Sequence, residues 1–288
     1  MRTCIIYNPG SGGGEHTSDA IEAAFARAGH DVRLCDSHSD DFPGMLGERF
    51  DLLVAAGGDG TVSKLLKAQP DRSVPVGILP IGTANNIASS FGLRADAGLL
   101  AGKWRTASRR VIELCWAEGP FGREIMIESA GLGPLCGGMQ QVSAEPEALK
   151  DAEHPIRHAR RRVCDVLRES KDRKSLLTLD GETVGEVALA EILNIPMSGP
   201  DLLLSPRART DDGLLDIAYA EEAAPLADWI ADGAAGAPPL QIRRARTASL
   251  RWDGQALRIG DEFPRFEAAA DLRFGVGNER SILLCPEA

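Results

Sequence analysis

Two patterns of apolar and polar positions divide the chain. Over roughly its first hundred residues, short apolar runs alternate with segments whose apolar residues recur every three or four positions. That is the signature of buried strands joined by helices. Cys4–Tyr7 predicts a first strand. Thr17 or Ser18 then caps a helix carrying Ile21, Ala24, Phe25 and Ala28, which Gly29 ends. Val32–Cys35 predicts a second strand, followed by a polar, acidic loop to Pro43. Asp51–Ala56 predicts a third strand, with a helix starting at Thr61 or Val62 whose Val62, Leu65 and Leu66 share a face. A fourth strand includes Ile78 and Leu79, and Ala84–Phe91 can form the helix after it. This order favours a doubly wound, Rossmann-like parallel sheet.

Near Arg109 the pattern changes. Val111–Ala117, Glu124–Ser129, Ser175–Leu179, Val184–Leu193, Leu214–Ala220, Ser249–Trp252, Leu257–Ile259 and Leu272–Val276 are strand-like pieces separated by turn residues. Frequent short strands predict an antiparallel, sandwich-like domain. One long helix interrupts them, at about Pro155 to Ser170. The expected domains are 1–110 and 111–277, and the length of 288 residues suffices for two cores.

The net charge of −10 argues against a nucleic-acid partner. No apolar run reaches the ~18 residues of a membrane-spanning helix, and a strand begins too early to leave room for a signal peptide. Six scattered cysteines without C-x-x-C spacing read as reduced thiols of a cytoplasmic protein.

The chemistry concentrates where three predicted strands run into glycines: Asn8-Pro9-Gly10-Ser11-Gly12-Gly13-Gly14, Gly57-Gly58-Asp59-Gly60-Thr61 and Pro80-Ile81-Gly82-Thr83-Ala84-Asn85-Asn86. A strand, a glycine turn and a helix N-terminus aim backbone N–H groups at an anion, and glycines let phosphate oxygens approach. Such loops gather at the carboxyl edge of a parallel sheet. Asp59 is the wrong charge for a phosphate cradle unless a metal or a transferable proton is present, so it suggests phosphoryl transfer. The alternative is an Asp-Gly turn capping a helix. A dinucleotide fold fits less well, because Glu15 or His16 stands where a third glycine belongs, and no lysine completes a P-loop.

NPGSGG, GGDGT and PIGTANN in this order resemble the diacylglycerol kinase catalytic-domain family, which includes sphingosine and ceramide kinases and is distantly related to NAD kinases. The segment Asn194 through Ser205–Asp216 resembles the same family's second-domain signature, so the likeness covers most of the chain. It implies an ATP-dependent lipid kinase acting on a diacylglycerol- or sphingoid-type hydroxyl, with Mg²⁺ on the phosphates and the site in the cleft between two domains. It also implies that 278–288 return to the first domain. Asn8, Gly10, Ser11, Gly12, Gly57, Gly58, Gly60, Thr61, Gly82 and Thr83 would line the nucleotide, with Asn85 ordering its loop and Cys35 where the family often has threonine. Asp212 with the carbonyls of Arg209 and Leu214 would hold a separate Mg²⁺ or Ca²⁺; the alternative is a solvated Asp-Gly turn.

Several positions depart from the family. Asn86 stands for aspartate, Ser63-Lys64 for Asn-Glu, Glu113 for aspartate, Gly199-Pro200-Asp201 for a glycine triplet, and Gly260-Asp261-Glu262 for Asp-Gly-Glu. Gly260 thus takes the place of a proposed proton acceptor, which leaves Asp59 and Asp261 as candidate catalytic carboxylates. Asp261 serves only if a turn at Gly260 redirects it. These departures keep open a nucleotide-binding homologue without kinase activity, and the glycine motif keeps open an NAD kinase-like enzyme. The basic segment His154–Lys174, with Ile156, Ala159, Val163, Val166 and Leu167 in one stripe, suits either a peripheral site on the inner membrane surface or a helix covering a core with its charges solvated.

Overall fold

The computed structural model describes residues 1–11, 16–93, 97–170 and 173–286. The chain divides into two compact units, Met1–Ile112 with Glu279–Ala288, and Glu113–Asn278.

The first unit contains β1 (Arg2–Tyr7), α1 (Ser18–Arg27), β2 (Asp31–Asp36), α2 (Phe42–Leu46), β3 (Leu52–Gly57), α3 (Asp59–Ala68), β4 (Val76–Pro80), α4 (Asn86–Ser90) and α5 (Ala97–Lys103). β2, β1, β3 and β4 lie side by side in that order, all parallel. Their sequences are apolar at consecutive positions because both faces are covered. Ile5, Val54, Ala56 and Leu79 meet Ile21 and Phe25 of α1 and Trp104 in one core cluster, while Cys4, Ile6, Leu53 and Ala55 are buried as well. The Thr17 hydroxyl accepts the Ala20 N–H at 3.2 Å and fixes the start of α1.

Three local readings change. α3 starts at Asp59, earlier than Thr61, because Gly58 in an extended conformation is its N-cap. α4 starts at Asn86, not Ala84, because Asn85 is left-handed with φ 53°. A short helix, α2, interrupts the acidic loop, since Phe42 and Leu46 lie one turn apart and both bury.

The second unit contains most of β5 (Ser108–Gly119), then β6 (Gly122–Met126), β7 (Ser129–Leu132), α6 (Pro134–Ala144), α7 (Pro146–Lys150), α8 (Pro155–Glu169), β8 (Ser175–Leu179), β9 (Glu182–Val187), β10 (Leu189–Leu193), β11 (Met197–Ser198), β12 (Leu202–Leu203), β13 (Leu215–Ala220), α9 (Ala224–Ala231), β14 (Gln241–Ala245), β15 (Thr247–Trp252), β16 (Leu257–Ile259) and the first part of β17 (Ala270–Cys285). An antiparallel sheet in the order β14-β13-β10-β7-β16 shares a core with strands β5, β6, β8, β9, β15 and β17, as in a sandwich. Its other face carries α6, α8 and α9, which form a second core with Leu189, Leu193 and Ala218.

The predicted strand Glu124–Ser129 is two strands, and so is Val184–Leu193, because in each case the chain leaves β5 or β8 partners for the five-stranded sheet. The single-helix expectation also fails. α6 and α9 are covered helices whose small and apolar residues blur the helical period. On α8, Arg160 donates to the Pro200 carbonyl at 3.0 Å, while Arg162 pairs with Glu145 at 2.8 Å and Arg168 with Asp228 at 3.1 Å. Much of its positive charge is therefore engaged within the unit; Lys171 lies outside the described residues. Among the described residues no helix is long and apolar enough to cross a membrane.

β17 also reaches the first unit, where Leu283 pairs parallel with Val76. There Ser281 donates to Gln69 at 2.6 Å and Ser108 donates to the Cys285 carbonyl at 2.8 Å.

His30 gives this first unit a pH dependence. Its Nε2–H donates to the Ala101 carbonyl at 3.1 Å, which leaves Nδ1 to accept the Thr3 hydroxyl at 2.8 Å. Burial, helped by the N-terminal ammonium, holds its pKa below the usual 6.5. Above about pH 6.5 both folded and unfolded imidazoles are neutral; below it the unfolded chain takes up the proton first. Stability should therefore be full above that pH and fall on acidification, by at most about 1.4 kcal/mol per pH unit. Denaturant titrations at stepped pH check this: His30→Gln should flatten the acid limb.

Candidate active site

The parallel register sets the ends of three strands beside one another. Tyr7 lies opposite Ala56, and Gly57 opposite Pro80, so the loops after β1, β3 and β4 leave from one edge. The first loop is closed by Asn8. Its own N–H donates to Ala56 O at 2.9 Å, its side-chain oxygen accepts the Gly10 N–H at 2.9 Å, and its carbonyl accepts the Ser11 N–H at 3.1 Å. Gly10 is exposed and Ser11 nearly buried, whereas Gly12 lies outside the described residues.

The second and third loops touch backbone to backbone. A Cβ on Gly82 would come within 2.4 Å of the Gly58 Cα, and one on Gly57 within 2.2 Å of the Thr61 hydroxyl. Ile81 N–H donates to Gly57 O at 3.2 Å. Asn85 makes the third loop rigid by accepting the Gly82 N–H at 2.9 Å and returning a hydrogen bond to the Gly82 carbonyl at 2.7 Å. Thr61 is buried against Gly57, while Gly60 and Thr83 are exposed.

Asp59 joins the two loops. One carboxylate oxygen accepts the Asn86 N–H at 2.9 Å and the other accepts the Ile87 N–H at 2.8 Å. Those are first-turn amides of α4, which lack intrahelical acceptors, so a negative charge at that terminus is favourable. The arrangement is a helix cap delivered from another loop. Gly60, in the first turn of α3, is exposed. Asn86 is buried beside this carboxylate, where a second negative charge would be repelled.

One expected contributor, Cys35, and one departure from the family, Lys64, are otherwise engaged. Cys35 is only 5% exposed, and burial together with Asp41 and Asp36 pushes its thiol pKa up, so its side chain is a core group of β2. Lys64 donates to the Ser37 carbonyl and lies over the Phe42 ring at 5.1 Å, which ties α3 to the β2 loop.

In the second unit the family-like segment is laced to Glu113, whose carboxylate accepts the Gly213 N–H at 2.8 Å and whose N–H donates to Thr210 O at 2.8 Å. Asp212 accepts the Leu214 N–H at 3.2 Å and pairs with Arg244; Arg209 pairs with Asp211 at 3.2 Å. Buried Asp216 accepts the Ser205 hydroxyl at 2.8 Å and has its pKa raised, chiefly by burial.

Gly260 is in a turn at φ 58°, a left-handed conformation that favours glycine, and both Asp261 and Glu262 are exposed. The turn is fastened from below. Arg258 donates to the Gly260 carbonyl at 2.7 Å through one nitrogen, and through another to Glu191, Ser129 and Ser198 at 2.8–2.9 Å. Arg258 and Glu191 are 5% and 1% exposed, an ion pair under α6. Burial, the largest single influence, would lower the Arg258 pKa, but Glu191 first and then Cys136 and Glu128 together raise it and the guanidinium stays charged. Neither residue stands out in sequence, since a single charge among alternating apolar positions reads as a solvated strand face.

Asp59→Asn should lower the stability of the chain by about 1–2 kcal/mol, because an amide accepts at one atom and turns its NH₂ toward the second N–H. Equilibrium unfolding in denaturant measures it, and unchanged stability would show the two bonds to be dispensable. Arg258→Met should cost about 3–5 kcal/mol by leaving Glu191 buried and unpaired, whereas adding Glu191→Leu should recover much of the loss. Stability of the double variant below that of Arg258→Met would contradict it.

Comparisons with known proteins complete this description. Residues 2–117 match the family model of the diacylglycerol kinase catalytic domain. The chain is similar to the diacylglycerol kinase of Mycobacterium tuberculosis, with 29% identity over 241 residues covering 76% of this chain and 73% of that one. It is also similar to the diacylglycerol kinase of Bacillus subtilis, with 26% identity over 244 residues covering 80% and 76%. A diacylglycerol kinase structure from Bacillus anthracis str. Sterne has the same fold, with a TM-score of 0.68 at 16% identity over 99% of this chain and 96% of that one. The chain is thus similar to the diacylglycerol kinases, and its residues 2–117 match the model of their catalytic domain.

Proposed function

We propose that the protein is a lipid kinase that moves the γ-phosphoryl group of ATP onto the hydroxyl of a diacylglycerol- or sphingoid-type lipid. The observation that carries this reading is the set of three strand-end loops at one sheet edge, two of them locked together by Asp59. Phosphoryl transfer needs positioning and charge stabilisation more than covalent chemistry. Asn8, Gly10, Ser11, Gly12, Gly57, Gly58, Gly60, Thr61, Gly82 and Thr83 form the phosphate and ribose cradle. A bound Mg²⁺ would neutralise charge on the phosphates. Asn85 and Asp59 hold the cradle in shape. Since both Asp59 oxygens already accept backbone N–H groups, its part is organisation more than proton removal. Asp261, exposed on the turn that Arg258 fastens, is the carboxylate proposed to receive the hydroxyl's proton.

The second reading, a nucleotide-binding homologue without transfer, is favoured by Gly260 in the acceptor's place and by Lys64 being engaged with Ser37. A γ-labelled ATP assay over diacylglycerol, sphingosine, ceramide and NAD with Mg²⁺, run beside an ATP-binding titration, separates the possibilities. Label in a lipid product supports the kinase, label in NAD supports an NAD kinase-like enzyme, and binding with no transfer supports the second reading. Asp261→Ala should reduce turnover by about 10²–10⁴-fold without weakening ATP binding. Wild-type turnover in that variant would remove Asp261 from the mechanism.

A further inference from the structure

The residues expected to hold a structural Mg²⁺ or Ca²⁺ do not present a cation site. A hard divalent ion of this kind takes six or more oxygens, several of them carboxylate. One Asp212 oxygen accepts the Leu214 N–H at 3.2 Å, and the other faces the Arg244 guanidinium. Glu113, which reaches the same loop, accepts the Gly213 N–H at 2.8 Å. Asp216 accepts the Ser205 hydroxyl on one oxygen, and its other oxygen lies 3.5 Å from Arg244 Nε. Among the described residues no three His, Cys, Asp or Glu side chains are grouped to hold a metal.

Arg244 supplies the missing positive charge. It sits on β14 directly across from Asp216 on β13, so the strand register aims it at the loop entering β13. Its two ends meet two different carboxylates, Nη2 with Asp212 and Nε with Asp216. Asp216 is 2% exposed, and a carboxylate buried so far needs a counter-charge or a proton. A guanidinium serves this need well. It is planar, presents several donors and stays charged at any pH the fold survives.

We infer that Arg244 stands in for the divalent cation that the family resemblance implies, acting as a tethered counter-ion that holds the segment Arg209–Asp216 in shape without a metal. The substitution is a matter of charge and reach. The guanidinium brings one positive charge to two carboxylates, and the Leu214 N–H to Asp212 and the Ser205 hydroxyl to Asp216 supply the remaining polarity. A cation would have to displace the arginine to reach either aspartate. Because the counter-ion is covalently attached, chelation cannot remove it and ion concentration cannot regulate it. The same logic makes the pair a latent cation site: without the guanidinium, Asp212 and Asp216 lose the counter-charge they share.

The test uses the full chain without nucleotide, melted in chelator, in millimolar Mg²⁺ and in millimolar Ca²⁺ at constant ionic strength. The wild-type melting temperature should shift by less than about 1 °C between these conditions. Arg244→Met should melt lower by roughly 3–8 °C in chelator and regain part of that loss in Ca²⁺ or Mg²⁺. Adding Asp212→Asn should abolish the regain. Arg244→Lys, which keeps the charge, guards against a variant that does not fold and should stay insensitive to ions. A wild-type chain stabilised by either ion, with the response lost in Asp212→Asn, would overturn the inference. So would an Arg244→Met variant whose ion response equals that of the wild type.

Discussion

Two backbone N–H groups, those of Asn86 and Ile87, end on the Asp59 carboxylate, and the shape of the glycine loops follows from that. Gly58 and Gly82 approach closely enough to exclude any side chain between them, a contact that neither loop would keep alone. Asp59 holds it by capping one helix from the first residue of another. A carboxylate in that position also occupies the first-turn amides of α4. The terminus of α4 is already neutralised by that charge, which is carried by the first residue of α3. The one carboxylate among these glycines thus serves its loop by binding backbone amides of the neighbouring loop.

The second unit solves a related problem with the opposite charge. Its five-stranded sheet is covered on both faces, so strand positions that would ordinarily meet water meet α6 instead. Arg258 and Glu191 occupy two of them, joined to Ser129, Ser198 and the Gly260 carbonyl. A buried network of this kind adds little net stability over an apolar core but strongly penalises partial disruption. Its value here is geometric, since the turn carrying Asp261 and Glu262 is bonded to a buried ion pair.

Much of this was legible from the sequence. Short apolar runs ending in glycines placed β1, β3 and β4 and the three loops, because parallel strands covered on both faces are apolar at consecutive positions. What escaped detection shares a cause. α6 contains Gly137 and Gly138, and Gly138 lets Val163 of α8 approach closely, so a helix built for close packing carries residues that usually end helices. The split between β6 and β7 and that between β9 and β10 depend on which sheet each half joins, and periodicity does not encode the partner. Asp59 was legible as chemically unusual, but its acceptance of two amides from a loop 27 residues away was not. Arg244 was invisible for the same reason: its meaning is set by the register of β14 against β13.

Strand β17 carries a consequence for how the protein is made. Leu283 pairs with Val76, a separation of 283 − 76 = 207 residues, and Ser281 bonds Gln69 across a similar span. The first unit therefore has an unpaired strand edge on β4 throughout synthesis of nearly everything that follows it. An apolar parallel strand left open is a template for wrong partners. The same strand supplies Leu272 and Phe274 to the core of the second unit, so on the ribosome both units wait for β17 and are completed together.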